Sequence, residues 1–406
     1  MLKVGPKSII TLITVFTLYT CIDPYSPKLK GYESLLVIDG LITDENASYT
    51  VKLSKTLLEQ NGSPDLVSDA TVFITDDEEK SIFLENRSEG VYKTDSTLFK
   101  GLIGKSYILH IITNNGDEYE SEPCLMQSVP DIDSVYFVKD KELVNNGTDS
   151  QEGIRINLDF LQGGNNKYIR WEFEETWKFK VPNPKRYNFI DSSRIVTVSN
   201  VKEFCWKNRK SEEILIQSVF AGQGEQIGTE PILFIATNKS DRLLIQYSIL
   251  VKQFSISKKE YDFWNNMKQV NESGGDIFAK QPFPVNSNIH NINNPGERVL
   301  GYFKVSAVKQ KRKNIHFRDI VGLNLPYFHY PCVRMEKSPA DYPNGMGPPM
   351  TWDQLYRMFC IKSDYSFIEP IYGTLKLEKL VFTKPECADC ELTGTLIKPD
   401  FWVDLN

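Results

Sequence analysis

Cysteine offers the most chemistry in this 406-residue chain, which carries seven of them. Cys21 has the clearest context. Lys3 and Lys7 precede an apolar run, Ile9 to Leu18, and the run ends in Leu18-Tyr19-Thr20-Cys21. That run is about half of the roughly 20 residues a bilayer-spanning helix needs. A basic start, a short apolar core and a small residue before the cut describe an export signal, and a cysteine four positions into Leu18–Cys21 describes a lipobox. The expectation is a signal peptide over residues 1–20, lipidation of Cys21, and a proline-bearing tether over 21–30. Two or more acyl chains would make that tether stable.

Six cysteines remain: Cys124, Cys205, Cys332, Cys360, Cys387 and Cys390. Cys387-Ala-Asp-Cys390 is a C-x-x-C pair. Structural zinc normally takes four ligands and no second C-x-x-C exists. A redox pair should open a helix after a strand, whereas Pro385 and Glu386 precede this one. An exported chain sits where disulfides persist, so Cys387 and Cys390 are expected to be oxidised, to each other or to other cysteines. Cys205 and Cys332 are plausible partners, and Cys360 completes the candidate set. Six cysteines allow 15 pairings, and spacing does not choose among them.

Other chemistry has little support. The chain has four histidines. His290, between Asn288 and Asn291, has no ligand at metal spacing along the sequence and is read as a hydrogen-bonded loop residue. No G-x-S-x-G nucleophile elbow occurs. Gly222 to Gly228 is not a dinucleotide fingerprint and reads as a loop. Asp76 to Glu79 reads as a solvated turn, and Lys309 to Lys313 as a hairpin tip too short for a nucleic-acid footprint. The net charge is −6; loss of residues 1–20 removes two positive charges and leaves −8. No cofactor, metal or catalytic residue is expected.

The elements that position these residues read as mostly β. Aromatics make up 12% of the chain, and strand-type residues recur in short period-2 runs. Residues 31–127 show about seven short strands with turns every 8–12 residues, the pattern of an immunoglobulin-like or transthyretin-like sandwich. Asn114-Asn-Gly is a hairpin turn. Residues 128–406 read as a larger β-rich domain with one amphipathic helix, 257–270. Ser257 and Glu260 form a capping box at its start, and Tyr261, Phe263, Trp264, Met267 and Val270 share one face. Residues 318–374 lose periodicity and gain Pro, Gly and aromatics. Tyr327, Phe328, Tyr330, Tyr342, Met346, Trp352 and Tyr356 are the candidate interface there, since aromatics are enriched at interface cores.

Four blocks, taken together, resemble one family: Val37–Asp44, Tyr247–Trp264, Asn288–Ser306, and the ending from Cys387 through Gly394 to Trp402. They are similar to Bacteroidota lipoproteins of the domain-of-unknown-function 4249 family. The resemblance implies an outer-membrane or cell-surface lipoprotein, often encoded beside a TonB-dependent receptor, and it implies no catalytic residues. The functional expectation is an accessory partner of a receptor-type β-barrel, serving solute capture, gating or assembly of a surface complex. The alternative is a stand-alone surface module binding a glycan or peptide.

Overall fold

The computed structural model describes residues 34–56, 65–95, 99–162, 167–219, 226–273, 286–342, 350–374 and 376–404. Cys21 and Met346 lie outside them. The fold is mostly β: among the described residues 49% are in strands and 13% are helical. Among the described residues no helix is long and apolar enough to cross a membrane.

The N-terminal unit follows from alternation. Leu36–Ile42 turns Leu36, Ile38, Gly40 and Ile42 inward and Asp39 outward. Ser106–Ile112 buries Tyr107, Leu109 and Ile111 between more accessible neighbours. These strands share one core with Val51, Leu53, Val72, Ile74 and Tyr92. The hydrogen-bonded path runs through Ile289–Asn291, Glu118–Ser121, Ser106–Ile112, Thr71–Asp76, Ser81–Ser88, Val91–Lys93, Thr50–Lys55, Leu36–Ile42 and Leu300–Val305. Both end strands come from residues 289–305. The sandwich read over 31–127 is therefore completed by a segment about 160 residues further on. That segment adds Ile289, Val299, Phe303 and Val305 to the same core.

Two details allow this return. Leu300–Val305 lies parallel to Leu36–Ile42, and Gly301 adopts φ +88°, where a Cβ would stand 1.9 Å from the Ile38 carbonyl oxygen. Only glycine accepts both the positive φ and the approach. The buried Asn288 amide then joins the two ends: its Nδ2 donates to Phe303 O, and Phe303 N donates to its Oδ1, both at 2.9 Å.

The second unit packs two sheets face to face. One contains Ile132–Val144, Asp149–Gln162 and Gln226–Ala236. The other runs Phe204–Lys210, Tyr168–Lys180, Gln246–Ser255 and Val308–His316. Trp171, Phe173, Trp177 and Phe179 alternate into the shared core, opposite Ile154, Ile156, Leu158 and Phe160. Lys309 to Lys313 lies inside the last strand and not at a hairpin tip. This edge strand places Lys309 on Asp131 at 3.1 Å and carries the Lys311 ammonium to Asp133 O. Neighbouring acceptors thus hold the basic run in extended form.

Helix α1, Lys258–Ser273, links the units. Glu260 N donates to Ser257 Oγ at 3.1 Å, as half of the capping box. The Glu260 carboxylate accepts from Trp264 Nε1 at 3.2 Å and stands 3.9 Å from Arg170 Nε. A buried guanidinium, held over the rings of Phe254 and Trp264 at 4.6 and 5.0 Å, draws it inward.

The segment 318–374, aperiodic in sequence, still forms regular elements. Met335–Lys337 and Ser366–Tyr372 flank Leu377–Thr383. With the short helix Trp352–Arg357 they enclose a third small core of Phe189, Leu355, Phe359, Phe367, Leu380 and Phe382.

Candidate functional site

The disulfides fix where this third core sits. Cys205 pairs with Cys390 and Cys332 with Cys387, at Cα separations of 5.6 and 5.9 Å. The C-x-x-C cysteines thus staple one turn to two different places: the Phe204–Lys210 strand and the segment before Met335. Cys360, a member of the candidate set, is a free thiol, as is Cys124. It sits in the π-helical turn Met358–Lys362, paired with Tyr356 and the Phe367 backbone, and burial raises its pKa. Burial likewise pushes the Cys124 thiol up to about 12, which makes it an inert thiol.

The stapled region places three of the seven interface candidates together. Tyr327 and Tyr330 line an open, apolar recess of about 410 Å³ with Lys180, Pro182, Leu244, Ile245 and Phe317. Phe328 packs edge-on against Tyr330 at 5.1 Å. Tyr327 leans on Phe317 at 5.8 Å and stays 44% exposed. Tyr342, Trp352 and Tyr356 are half-buried against the third core instead; Tyr356 stacks on Phe189 at 4.7 Å. Trp352 and Tyr356 support that core because the Trp352–Arg357 helix turns its apolar side inward, and Tyr342 packs edge-on against Phe359 at 6.4 Å.

A buried acid anchors the floor of the recess. Asp241 accepts from Trp177 Nε1 at 2.9 Å and from Tyr330 OH at 2.9 Å, and pairs with Lys207 at 2.8 Å. Burial and the Asp241 charge raise the Tyr330 pKa far above the phenol range, so this hydroxyl is a permanent donor. Sequence reading missed Asp241, whose partners come from three distant segments. Lys180 pairs with Glu203 at 2.7 Å on the rim.

The recess lies at the end of the second unit remote from the first. Phe254 faces Val308 at the junction between units, and Gln246 faces His316 beside the recess. Eight residues of strand separate those pairs, roughly 27 Å. A larger polar cleft of about 540 Å³ lies between α1 and residues 286–302. Three of its four charged lining residues are in ion pairs, Lys259 with Glu122 and Asp262 with Lys258, and the fourth is Arg298.

Two other sequence readings resolve here. The Asp76 carboxylate accepts from Glu78 N and Lys80 N at 3.0 Å each and faces Lys105, closing its own turn. His290 is on a strand and not a loop: Ile289–Asn291 pairs with Glu118–Ser121, and His290 faces Glu120.

No curated protein matches the chain at a significant level. The sequence profile of one family matches residues 22–312, which include the N-terminal unit, α1 and most of the second unit. The chain therefore belongs to the family described as Domain of unknown function (DUF4249).

Proposed function

We propose that the protein is an exported lipoprotein, acylated at Cys21, that stands on the outer membrane of a Bacteroidota cell, at its surface, as a non-enzymatic accessory partner of a TonB-dependent receptor-type β-barrel. The observation that carries the proposal is the Tyr327–Tyr330 recess. It is open and apolar, its floor is fixed by Asp241, and disulfides hold the surrounding chain. A rigid socket of this kind suits one apolar or aromatic side chain of a partner, the usual form of an interface anchor. Stable docking buries more than about 1,000 Å² in all, so the exposed Val321 and Val333 nearby in the chain extend the face. Twelve residues separate Cys21 from Ser34, a contour of roughly 40 Å at most. That reach lets the remote end of the molecule meet a barrel in the same membrane.

The test is a mild-detergent pull-down from native membranes. A stoichiometric β-barrel that is lost with Tyr327→Ser and Phe317→Ser supports the reading. A monomer that brings down no barrel overturns it. Cys21→Ala should release the protein into the soluble fraction, and unchanged membrane retention would count against the anchor.

A second reading rests on the same recess. Exposed Tyr327 beside the Lys180 cation would also suit a glycan or peptide. Tight binding of such a ligand by the isolated protein, with no barrel recovered, would favour it.

A further inference from the structure

A row of side chains crosses the outer face of the N-terminal sheet. His290 faces Glu120, Glu120 faces His110, His110 faces Phe73, and Phe73 faces Phe83, each on the next strand. Their sequence neighbours Ile289, Tyr119, Leu109 and Ile74 are buried in the core, so alternation puts the row on the outside. Two of the chain's four histidines thus flank one carboxylate in register, although residues 110 and 290 are far apart in sequence.

We propose that His110, Glu120 and His290 form a binding site for a borderline divalent transition-metal ion, with zinc as the reference ion. His110 is already set as a ligand. Its ring stacks on Phe73 at 4.7 Å and 10°, and its Nε2 is 2.8 Å from Thr75 Oγ1. A hydrogen bond at the second ring nitrogen is what orients a metal-bound imidazole. Its Nδ1 then points at Glu120 Oε2, 3.4 Å away. That is long for a hydrogen bond between nitrogen and oxygen. It matches the edge of a tetrahedron drawn around zinc with bonds of about 2.0–2.2 Å, which is roughly 3.4 Å.

His290 supplies the third ligand. It is exposed and stands directly across from Glu120, where facing Cβ atoms are about 5 Å apart. The two histidines lie two strand spacings apart, roughly 10 Å, on either side of the carboxylate. The three donors do not converge in this structure: among the described residues no three His, Cys, Asp or Glu side chains are placed to hold an ion. A rotamer change at the solvent-facing His290 closes the set, and water takes the fourth position. Two imidazoles and one carboxylate favour zinc, copper or nickel over calcium and magnesium, which prefer all-oxygen sites.

The experiment is calorimetric titration of the purified protein with zinc, with cobalt(II) as the spectroscopic probe. Wild-type protein should bind one equivalent and show tetrahedral cobalt absorption. His290→Ala and Glu120→Gln should each weaken zinc binding by at least about ten-fold. Both positions face solvent, so the fold should persist, as judged by an unchanged circular-dichroism spectrum. His329→Ala, elsewhere on the surface, should bind like wild type. Absence of saturable one-to-one binding overturns the site, as does wild-type affinity in His290→Ala and Glu120→Gln together.

Discussion

The Asn288 side-chain amide and the Phe303 backbone exchange two hydrogen bonds of 2.9 Å inside the N-terminal core. The amide copies the paired bonds of an antiparallel ladder at a point where two strands cannot meet. Replacing it leaves a buried N–H and a buried carbonyl without partners, each costing about 1–3 kcal/mol. Asn288→Ala is expected to destabilise by about 2–4 kcal/mol in urea unfolding. A loss below about 0.5 kcal/mol would place the closure of this sheet elsewhere.

Gly301 supports the same seam from the other side. A Cβ there would meet three Ile38 backbone atoms within 3 Å, at a φ of +88°. Backbone cannot swing aside as a side chain can. Gly301→Ala should therefore cost more than about 2 kcal/mol, and urea unfolding measures it directly. A neutral substitution would mean that the parallel pairing with Leu36–Ile42 is loose.

The covalent arrangement gives a mass-spectrometric test. Peptide mapping without reductant should recover Cys205 linked to Cys390 and Cys332 linked to Cys387. Cys124 and Cys360 should react with alkylating reagent only after unfolding. Removing the Cys205–Cys390 pair as a double serine variant should cost about 2–5 kcal/mol. A Cys387–Cys390 peptide would refute the arrangement.

These pairings mark the limit of what sequence reading could reach. Ser106–Ile112 was legible because every second residue is apolar, and the α1 start because Ser257 stands three residues before Glu260. The return of residues 289–305 was not legible. Those strands are short, and their partners lie up to about 260 residues away, where local periodicity carries no information. The recess was legible only as composition. Tyr327 and Tyr356 look alike in sequence, yet Tyr327, on irregular backbone, rims a recess, while Tyr356, on the Trp352–Arg357 helix, is turned by helix phase onto Phe189. Asp241 gave no local signal at all.

Asp241 can be tested through its lightest partner. Tyr330→Phe removes one hydroxyl from the acid and leaves Trp177 and Lys207 in place. The expected cost is about 1–2 kcal/mol. Tyr330 also floors the recess, so a change in Trp177 fluorescence should accompany the loss. An unaltered unfolding midpoint would show that Lys207 and Trp177 satisfy the carboxylate alone.

Glu230, on the Gln226–Ala236 strand, ties stability to pH. Burial raises its pKa from 4.5 to about 7, against the opposing charge of Lys268 on α1. Between those two values the folded chain holds a proton that the unfolded chain has released. Stability from this group is therefore full below pH 4.5 and is lost as pH rises through 7. Glu230→Gln keeps the shape and cannot ionise. Thermal unfolding at about pH 5 and about pH 8 should show a fall in midpoint for the wild type that is smaller in Glu230→Gln, with the variant the more stable protein at the higher pH. Equal falls in both proteins would mean that water reaches the carboxylate and that it ionises as an ordinary surface acid.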